Sequence, residues 1–184
     1  MLFIKKYIEN TVNYDLLNKF SYKSLDNRPQ LKKIYLNFYC KNYSLNYLAS
    51  SLIALELMSS QKSILTYLKN SNILIKLKKG LPVGCTVILR KKNMNLFLTE
   101  FLSYIFPKNI HNSNKIQLKN IKSFSFKLTN PLLFTELEKR YQFFKNLTDL
   151  RVTIVTNSKT RKELFILLTS IKIFHSNYNS IGRV

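Results

Sequence analysis

The side chains that could carry out catalysis are few in this sequence, and they do not cluster. Cys85 follows a glycine and could act as a nucleophile, but it falls on the inward face of a predicted strand, where a buried thiol is expected. Glu136 and Glu138 are two positions apart, which places them on different faces of a helix. His111 and His175 have no cysteine or acidic residue at ligand spacing. The sequence therefore predicts no enzyme, no metal site and no cofactor.

Basic side chains dominate the charge of the chain. Thirty Lys and Arg stand against nine Asp and Glu, which leaves a formal net charge of +21. So much charge destabilises a compact state unless a polyanion neutralises it, and nucleic acid is the usual polyanion. An anionic membrane is the other sink, but a spanning helix needs about 20 apolar residues, and the apolar runs here are shorter and contain Glu56 or Glu100. We therefore expect RNA as the partner and no membrane.

Two basic runs flank a predicted turn over residues 80–84. The runs are Lys76, Lys78 and Lys79 before the turn, and Arg90, Lys91 and Lys92 after the following strand. If the two strands pair, we expect the runs to form one basic edge that contacts RNA. The turn contains two glycines, but no Gly-Lys-Ser/Thr follows, so it is not a phosphate-binding loop.

Alternating residues predict the strands that would position these groups. From Lys33 to Phe38, the apolar Ile34, Leu36 and Phe38 alternate with Lys33, Tyr35 and Asn37, which predicts a half-buried strand with a polar outer face. Further strands are predicted at residues 63–68, 73–79, 85–91, 123–128 and 150–156. In the strand 85–91, Cys85, Val87 and Leu89 share one face, and Thr86, Ile88 and Arg90 share the other.

Helical spacing and capping residues predict the remaining elements. Helices are expected at residues 3–20, 44–58, 93–106 and 160–172. Ser44 can cap the second helix, whose inward residues would be Leu45, Leu48, Ala49, Leu52, Leu55 and Met58. Thr160 and Glu163 form a capping box at the start of the last helix. The expected fold is α+β, a mostly antiparallel sheet of four to six strands with helices packed on one face and a basic face left free. We expect a single domain over residues 1–184 with a polar tail at about 175–184.

Composition also bears on the compartment. Two cysteines favour neither a disulfide scaffold nor a metal site, so a reducing compartment is expected. The start of the chain lacks the features of a secretory signal. Residues with AT-rich codons, such as Asn, Lys, Ile, Tyr and Phe, are abundant. This skew indicates an AT-rich genome, either an organelle's or that of a low-GC bacterium or parasite.

One region resembles a known family closely. Residues 60–63, Ser-Gln-Lys-Ser, followed by the stretch Gly80-Leu81-Pro82-Val83-Gly84-Cys85 and a strand ending in Arg90, resemble the signature of large ribosomal subunit protein five, the universal protein that binds 5S rRNA. Residues 33–37, 134–137 and 150–163 match that family in order and spacing, so the likeness runs from about residue 7 to residue 174. Ser60 and Ser63 replace a usual Gly and Pro. The segment after Asn37 is shortened, and residues 109–122 do not match.

The resemblance implies a structural place in the central protuberance of the large ribosomal subunit. The implied partners are 5S rRNA and large-subunit rRNA, peptidyl-site tRNA, a head protein of the small subunit and neighbouring central-protuberance proteins. Asn37, Gln61 and Lys62 match rRNA-facing positions, and Lys69, Ser71 and Lys76 match a tRNA-facing loop. Together with the composition, the resemblance favours a mitochondrial ribosome, in the matrix, and an organelle-encoded chain.

Two interpretations are built on these residues, beside one alternative. The rRNA-binding residues would be Lys33, Tyr35, Asn37, Gln61, Lys62, Lys76, Lys78, Lys79, Arg90 and Lys91. The tRNA-contacting loop would be Lys69, Asn70, Ser71 and Asn72, which are all polar and so have no core role; Asn70 stands where the family has a basic residue. The alternative is a basic peripheral membrane or partner-binding module.

Overall fold

The sheet is antiparallel and has five strands within the residues that the structure describes. A computed structural model describes residues 2–40, 44–71, 78–105 and 120–173. The strands are β1 Leu31–Tyr39, β2 Ile64–Tyr67, β3 Pro82–Leu89, β4 Ser123–Leu128 and β5 Leu150–Thr156. Their order is β2-β3-β1-β5-β4, so the first strand of the chain lies at the centre of the sheet. The α+β prediction is confirmed.

The helices flank this sheet in chain order. They are α1 Leu2–Tyr7, α2 Asn13–Lys19, α3 Leu45–Ser59, α4 Lys91–Glu100, α5 Thr135–Glu138, α6 Tyr141–Phe144 and α7 Arg161–Ser170. A π-helical turn, Ile8–Val12, joins α1 to α2, and another, Phe101–Ile105, continues α4. Short 3-10 turns occur at Leu25–Asn27 and Pro131–Leu133. The predicted capping box is confirmed, because Thr160 Oγ1 accepts from the Glu163 amide at 3.2 Å and Glu163 Oε2 accepts from the Thr160 amide at 3.3 Å.

The core lies on one face of the sheet, as the alternation predicted. Ile34, Leu36 and Phe38 of β1 are 0% exposed, whereas Lys33, Tyr35 and Asn37 are partly exposed on the other face. The same alternation buries Val152 and Ile154 of β5, and the buried residues form one hydrophobic cluster with residues of the helices. Helix α3 packs on β3, and α4 packs on β1.

Helix α3 turns a different face to the core than the sequence predicted. Its buried residues are Leu48, Ser51, Ala54, Leu55, Met58 and Ser59. Leu45, expected inside, is 67% exposed, and Ala49 is also exposed. The reason is that Ser51 can be buried at low cost, since its hydroxyl donates to the Leu48 carbonyl at 2.9 Å and lies 3.0 Å from Cys85 Sγ.

The turn between residues 80 and 84 is shorter than predicted. Gly80 has φ of +86°, which glycine adopts without steric cost, and supplies the reversal by itself. Pro82, Val83 and Gly84 already belong to β3. At the other end, β3 stops at Leu89 and α4 begins at Lys91, two residues earlier than expected. Most of the predicted strand 73–79, the loop 107–120, the tail 175–184 and both histidines lie outside the described residues.

Two carboxyl groups meet between α4 and α5. Burial, followed by the hydrogen bond and the negative charge of Glu136, raises the pKa of Glu100 from 4.5 to about 7. In the unfolded chain the Glu100 carboxyl loses its proton near pH 4.5, whereas in the folded chain it keeps the proton up to about pH 7. Stability from this group is therefore fully present below pH 4.5 and is lost as the pH rises through about 7.

We therefore expect the melting temperature to fall between pH 5 and pH 8, and the substitution Glu100→Gln to flatten that fall. A glutamine keeps a hydrogen-bonding group beside Glu136 but carries no titrating proton. Glu138→Gln is the matched control, because Glu138 is exposed on the same short helix as Glu136. Melting curves at several pH values measure the effect. Parallel pH profiles for Glu100→Gln and the unsubstituted chain would contradict the assignment.

Candidate RNA interface

The sheet face opposite the core carries a row of aligned polar side chains. At one level of the sheet, Asn37 of β1 pairs with Thr86 of β3 on one side and with Arg151 of β5 on the other. Arg151 in turn pairs with Lys127 of β4. Because residues paired across an antiparallel sheet point to the same face, these four side chains form one line across four strands. We call this surface the free face.

Contacts within the free face hold its polar groups in place. The Thr86 hydroxyl donates to Asn37 Oδ1, and Asn37 Nδ2 donates to Tyr39 Oη at 3.3 Å. The Arg151 guanidinium lies 5.0 Å from the centre of the Tyr39 ring. The Lys33 ammonium lies 4.9 Å from the centre of the Tyr35 ring. These cation–π contacts place two positive charges above aromatic rings without neutralising them.

The electrostatics of the sheet are of one sign. None of the five strands contains Asp or Glu, whereas they contain Lys32, Lys33, Lys127 and Arg151. In residues 2–40, 44–71, 78–105 and 120–173, the only ion pair joins Lys5 to Glu9 at 3.8 Å, on helix α1 and the turn after it. The positive charge of the free face is therefore not compensated by ion pairs within the described part of the protein, and it suits a polyanion such as RNA.

The structure brings only some of the predicted site residues together. Lys33, Tyr35 and Asn37 share the free face on β1. Gln61 and Lys62 lie between α3 and β2, and β2 begins by pairing Ile64 with Thr86, the residue that also pairs with Asn37. Two strand spacings, about 10 Å in all, therefore separate the backbones of β1 and β2 at this level.

The predicted tRNA loop leaves the sheet at its end. The Leu68 amide donates to the Leu81 carbonyl at 2.9 Å, and the Gly80 amide donates to the Leu68 carbonyl at 3.0 Å. These bonds close the base of a chain excursion whose first residues, Lys69, Asn70 and Ser71, are exposed. Lys78 and Lys79 are exposed on the return of the chain. Asn72 and Lys76 lie outside the described residues.

The single basic edge expected from the two lysine and arginine runs is wrong. Lys78 and Lys79 precede β3, whereas Arg90 and Lys91 follow it, and all four are exposed. The eight residues of β3 span about 27 Å. A hairpin places the end of its first strand beside the start of its second, so these runs lie at opposite ends of the strand.

Sequence reasoning missed four residues of the free face: Tyr39, Thr86, Lys127 and Arg151. Their signal was present, because each occupies an outward position of a strand that the sequence predicted or directly extends it. Only the register across strands shows that they meet Asn37.

Nothing in the described residues favours catalysis or a membrane span. Cys85 is 0% exposed, and its thiol lies 3.0 Å from Ser51 Oγ, so the prediction of a core thiol is confirmed. Burial raises the pKa of this thiol, which disfavours the reactive thiolate. Among the described residues no three His, Cys, Asp or Glu side chains are placed to hold a metal, and no helix is long and apolar enough to cross a membrane.

Comparison with known proteins agrees with this geometry. The family model for the C-terminus of ribosomal protein uL5 matches residues 82–174. Large ribosomal subunit protein uL5m of Reclinomonas americana is 31% identical over 175 residues, which cover 92% of this chain and 96% of that protein. Protein uL5 of Blochmanniella floridana is 27% identical over 97% of this chain and 95% of its own. Protein uL5c of Oedogonium cardiacum is 31% identical over 90% of this chain and 93% of its own. The chain therefore belongs to the uL5 family, whose members are structural, non-enzymatic constituents of the large ribosomal subunit.

Proposed function

We propose that this protein binds 5S rRNA and large-subunit rRNA through its free face and thereby helps to build the central protuberance. The observation that carries the proposal is the line Thr86, Asn37, Arg151 and Lys127, which crosses four strands with no acidic residue in the sheet. A sheet with one uncovered polar face is a common RNA-binding surface. Two tyrosines on the same face provide flat surfaces for stacking.

Each group on the free face has a distinct part in this proposal. Arg151 and Lys127 supply charge for backbone phosphates, and Lys33 adds a third cation near Tyr35. Asn37 can donate and accept hydrogen bonds, and its contacts with Thr86 and Tyr39 fix its orientation. Lys62, Lys78, Lys79, Arg90 and Lys91 are exposed around the sheet and extend the basic surface to further phosphates.

Substitutions on the free face test the rRNA contact. We expect Arg151→Ala to weaken rRNA binding about tenfold, the size of one charge-assisted hydrogen bond, and Asn37→Leu to weaken it with little change in stability. The matched control is Lys19→Ala, which removes one exposed positive charge from α2, in the helical layer. Binding of the full-length chain to transcribed 5S and large-subunit rRNA measures the effect at fixed salt. Equal affinities for Arg151→Ala, Lys19→Ala and the unsubstituted chain would remove the free face as the site.

The loop that begins at Lys69 is proposed to contact the elbow of peptidyl-site tRNA. Its support is the closed base at Leu68 and Gly80 and the exposed polar residues that follow. A charged side chain with hydroxyl and amide neighbours suits contacts to phosphate and sugar that carry no sequence preference. The family likeness also supports a bridge to a small-subunit head protein and contacts with neighbouring proteins of the protuberance. A tRNA-bound ribosome structure in which residues 69–71 stay away from the tRNA would contradict the loop assignment.

The proposed location is the mitochondrial matrix, within the mitochondrial ribosome. The abundance of residues with AT-rich codons supports an organellar genome. The relatives include a mitochondrial, a chloroplast and several bacterial proteins. Immunodetection in purified mitochondria tests the location, and enrichment in another compartment would contradict it.

A further inference from the structure

A cleft beside the free face has a lining that resembles neither the core nor an ordinary polar surface. It encloses about 390 Å³ between the start of α3, helix α6 and the segment that precedes β5. Phe143 forms one wall, and Asn46 and Asn146 lie at its sides. Phe143 is 75% exposed, so its ring has an open surface. A large aromatic ring is seldom left this open unless a partner covers it.

The floor of the cleft is fixed by hydrogen bonds that converge on the end of β1. Tyr47 Oη and Thr148 Oγ1 are 2.5 Å apart, and each donates to the Tyr39 carbonyl, at 3.3 and 3.1 Å. Tyr39 is also the residue whose ring lies under Arg151 on the free face. The cleft is therefore a direct continuation of the free face at the level of Tyr39, and it is shaped before a ligand arrives.

The polar groups at the sides of the cleft are available for a ligand. Within the described parts of the chain, neither the Asn46 amide nor the Asn146 amide has a hydrogen-bond partner, and both side chains are exposed. A carboxamide both donates and accepts, which matches the paired donor and acceptor groups on the edge of a nucleobase. Lys139, Arg140 and Lys145 flank α6 and are exposed, so the rim can hold phosphates.

We propose that this cleft binds one unstacked nucleobase from a single-stranded loop of the rRNA held by the free face. The base stacks on Phe143, its edge bonds to the Asn46 and Asn146 amides, and the flanking phosphates lie along Lys139, Arg140 and Lys145. The inference rests on the proposed function, because it assigns a second contact to the same RNA. An open aromatic surface with nearby cations is the arrangement by which single-stranded RNA is commonly held.

The test compares two aromatic residues of the same short helix. Phe143 lines the cleft, whereas Tyr141 is 57% exposed but does not line it. With the full-length chain and transcribed large-subunit rRNA, we expect Phe143→Ala to lower affinity about tenfold, as loss of one base–aromatic stack does. Phe143→Trp and Tyr141→Ala should retain affinity. Melting temperatures should be unchanged in all three variants, because both side chains are exposed.

The outcomes separate this inference from the proposed function. If Phe143→Ala binds normally while Arg151→Ala binds weakly, the cleft is not a base site and the free face stands. If both variants bind normally, the proposed function fails as well. Irradiation of native large subunits at 254 nm, followed by nuclease digestion and mass spectrometry, should find a nucleotide on a cleft-lining peptide. Cross-links from that peptide to another protein alone would overturn the proposal in favour of a protein segment.

Discussion

The affinity of the full-length chain for large-subunit rRNA should fall by roughly three orders of magnitude or more between 50 and 200 mM salt, if six or more phosphates are neutralised. The physical reason is that each phosphate contact releases condensed counterions, and extra salt opposes their release. The free face supplies Lys33, Lys127 and Arg151, and the exposed residues Lys62, Lys78, Lys79, Arg90 and Lys91 add further contacts. Fluorescence titrations at several salt concentrations give the slope.

Position can be separated from total charge in the same experiment. Replacing Lys33, Lys127 and Arg151 together by alanine should reduce the slope of log affinity against log salt by about three, since each lost phosphate contact removes about one. The matched control replaces Lys5, Lys6 and Lys19 on helices α1 and α2. Both triple variants lose three positive charges. Equal slopes for the two would show that RNA binds to the net charge of the chain rather than to the free face.

Gly84→Ala should destabilise the fold more than any surface substitution in this protein, by about 2–3 kcal/mol. A Cβ at residue 84 would lie 2.3 Å from the Phe38 carbonyl oxygen and 3.2 Å from Thr66 Oγ1. The nearer atom belongs to the backbone, so β1 and β3 would have to separate where Gly84 pairs with Tyr39. The free face would be distorted near Asn37, and rRNA binding should weaken along with stability. Urea denaturation measures the loss.

Gly80→Ala is a control for this prediction, because the two glycines are needed for different reasons. Around Gly80 nothing lies within 4 Å of the position that a Cβ would take, but its φ of +86° strains any L side chain. We expect a loss of about 1 kcal/mol there. If Gly84→Ala costs no more than Gly80→Ala, the close approach of β1 to β3 does not constrain this position.

The sequence could predict local features of the fold because side-chain alternation and capping act over a few residues. The outward positions of Lys33, Tyr35 and Asn37 and the capping box at Thr160 follow from such patterns. The role of Gly84 was misjudged, because a glycine between two glycine-free stretches looks like part of a turn. Its actual constraint is a neighbouring strand more than 40 residues earlier in the chain.

The candidate site depended on information that spacing alone does not carry. Arg151 meets Asn37 only through the register between β5 and β1, and that register depends on the packing of the whole core. The same holds for the cleft, whose wall at Phe143 comes from a segment about 100 residues after its floor at Tyr39. The two basic runs failed in the opposite way. They are close in sequence, and an eight-residue strand separates them.

The central place of β1 also determines when the newly made chain can complete its sheet. Strands β2 and β3 can pair with β1 once residue 89 has been synthesised, but the other edge of β1 has to wait for β5. The interval is 67 residues (156 minus 89), or roughly 3–13 s at ordinary rates of translation. During that time the nascent chain carries an open strand edge, which is prone to pairing with other chains. Co-translational folding of this protein is therefore a two-stage process, in which a three-strand half forms first and the last strands close it.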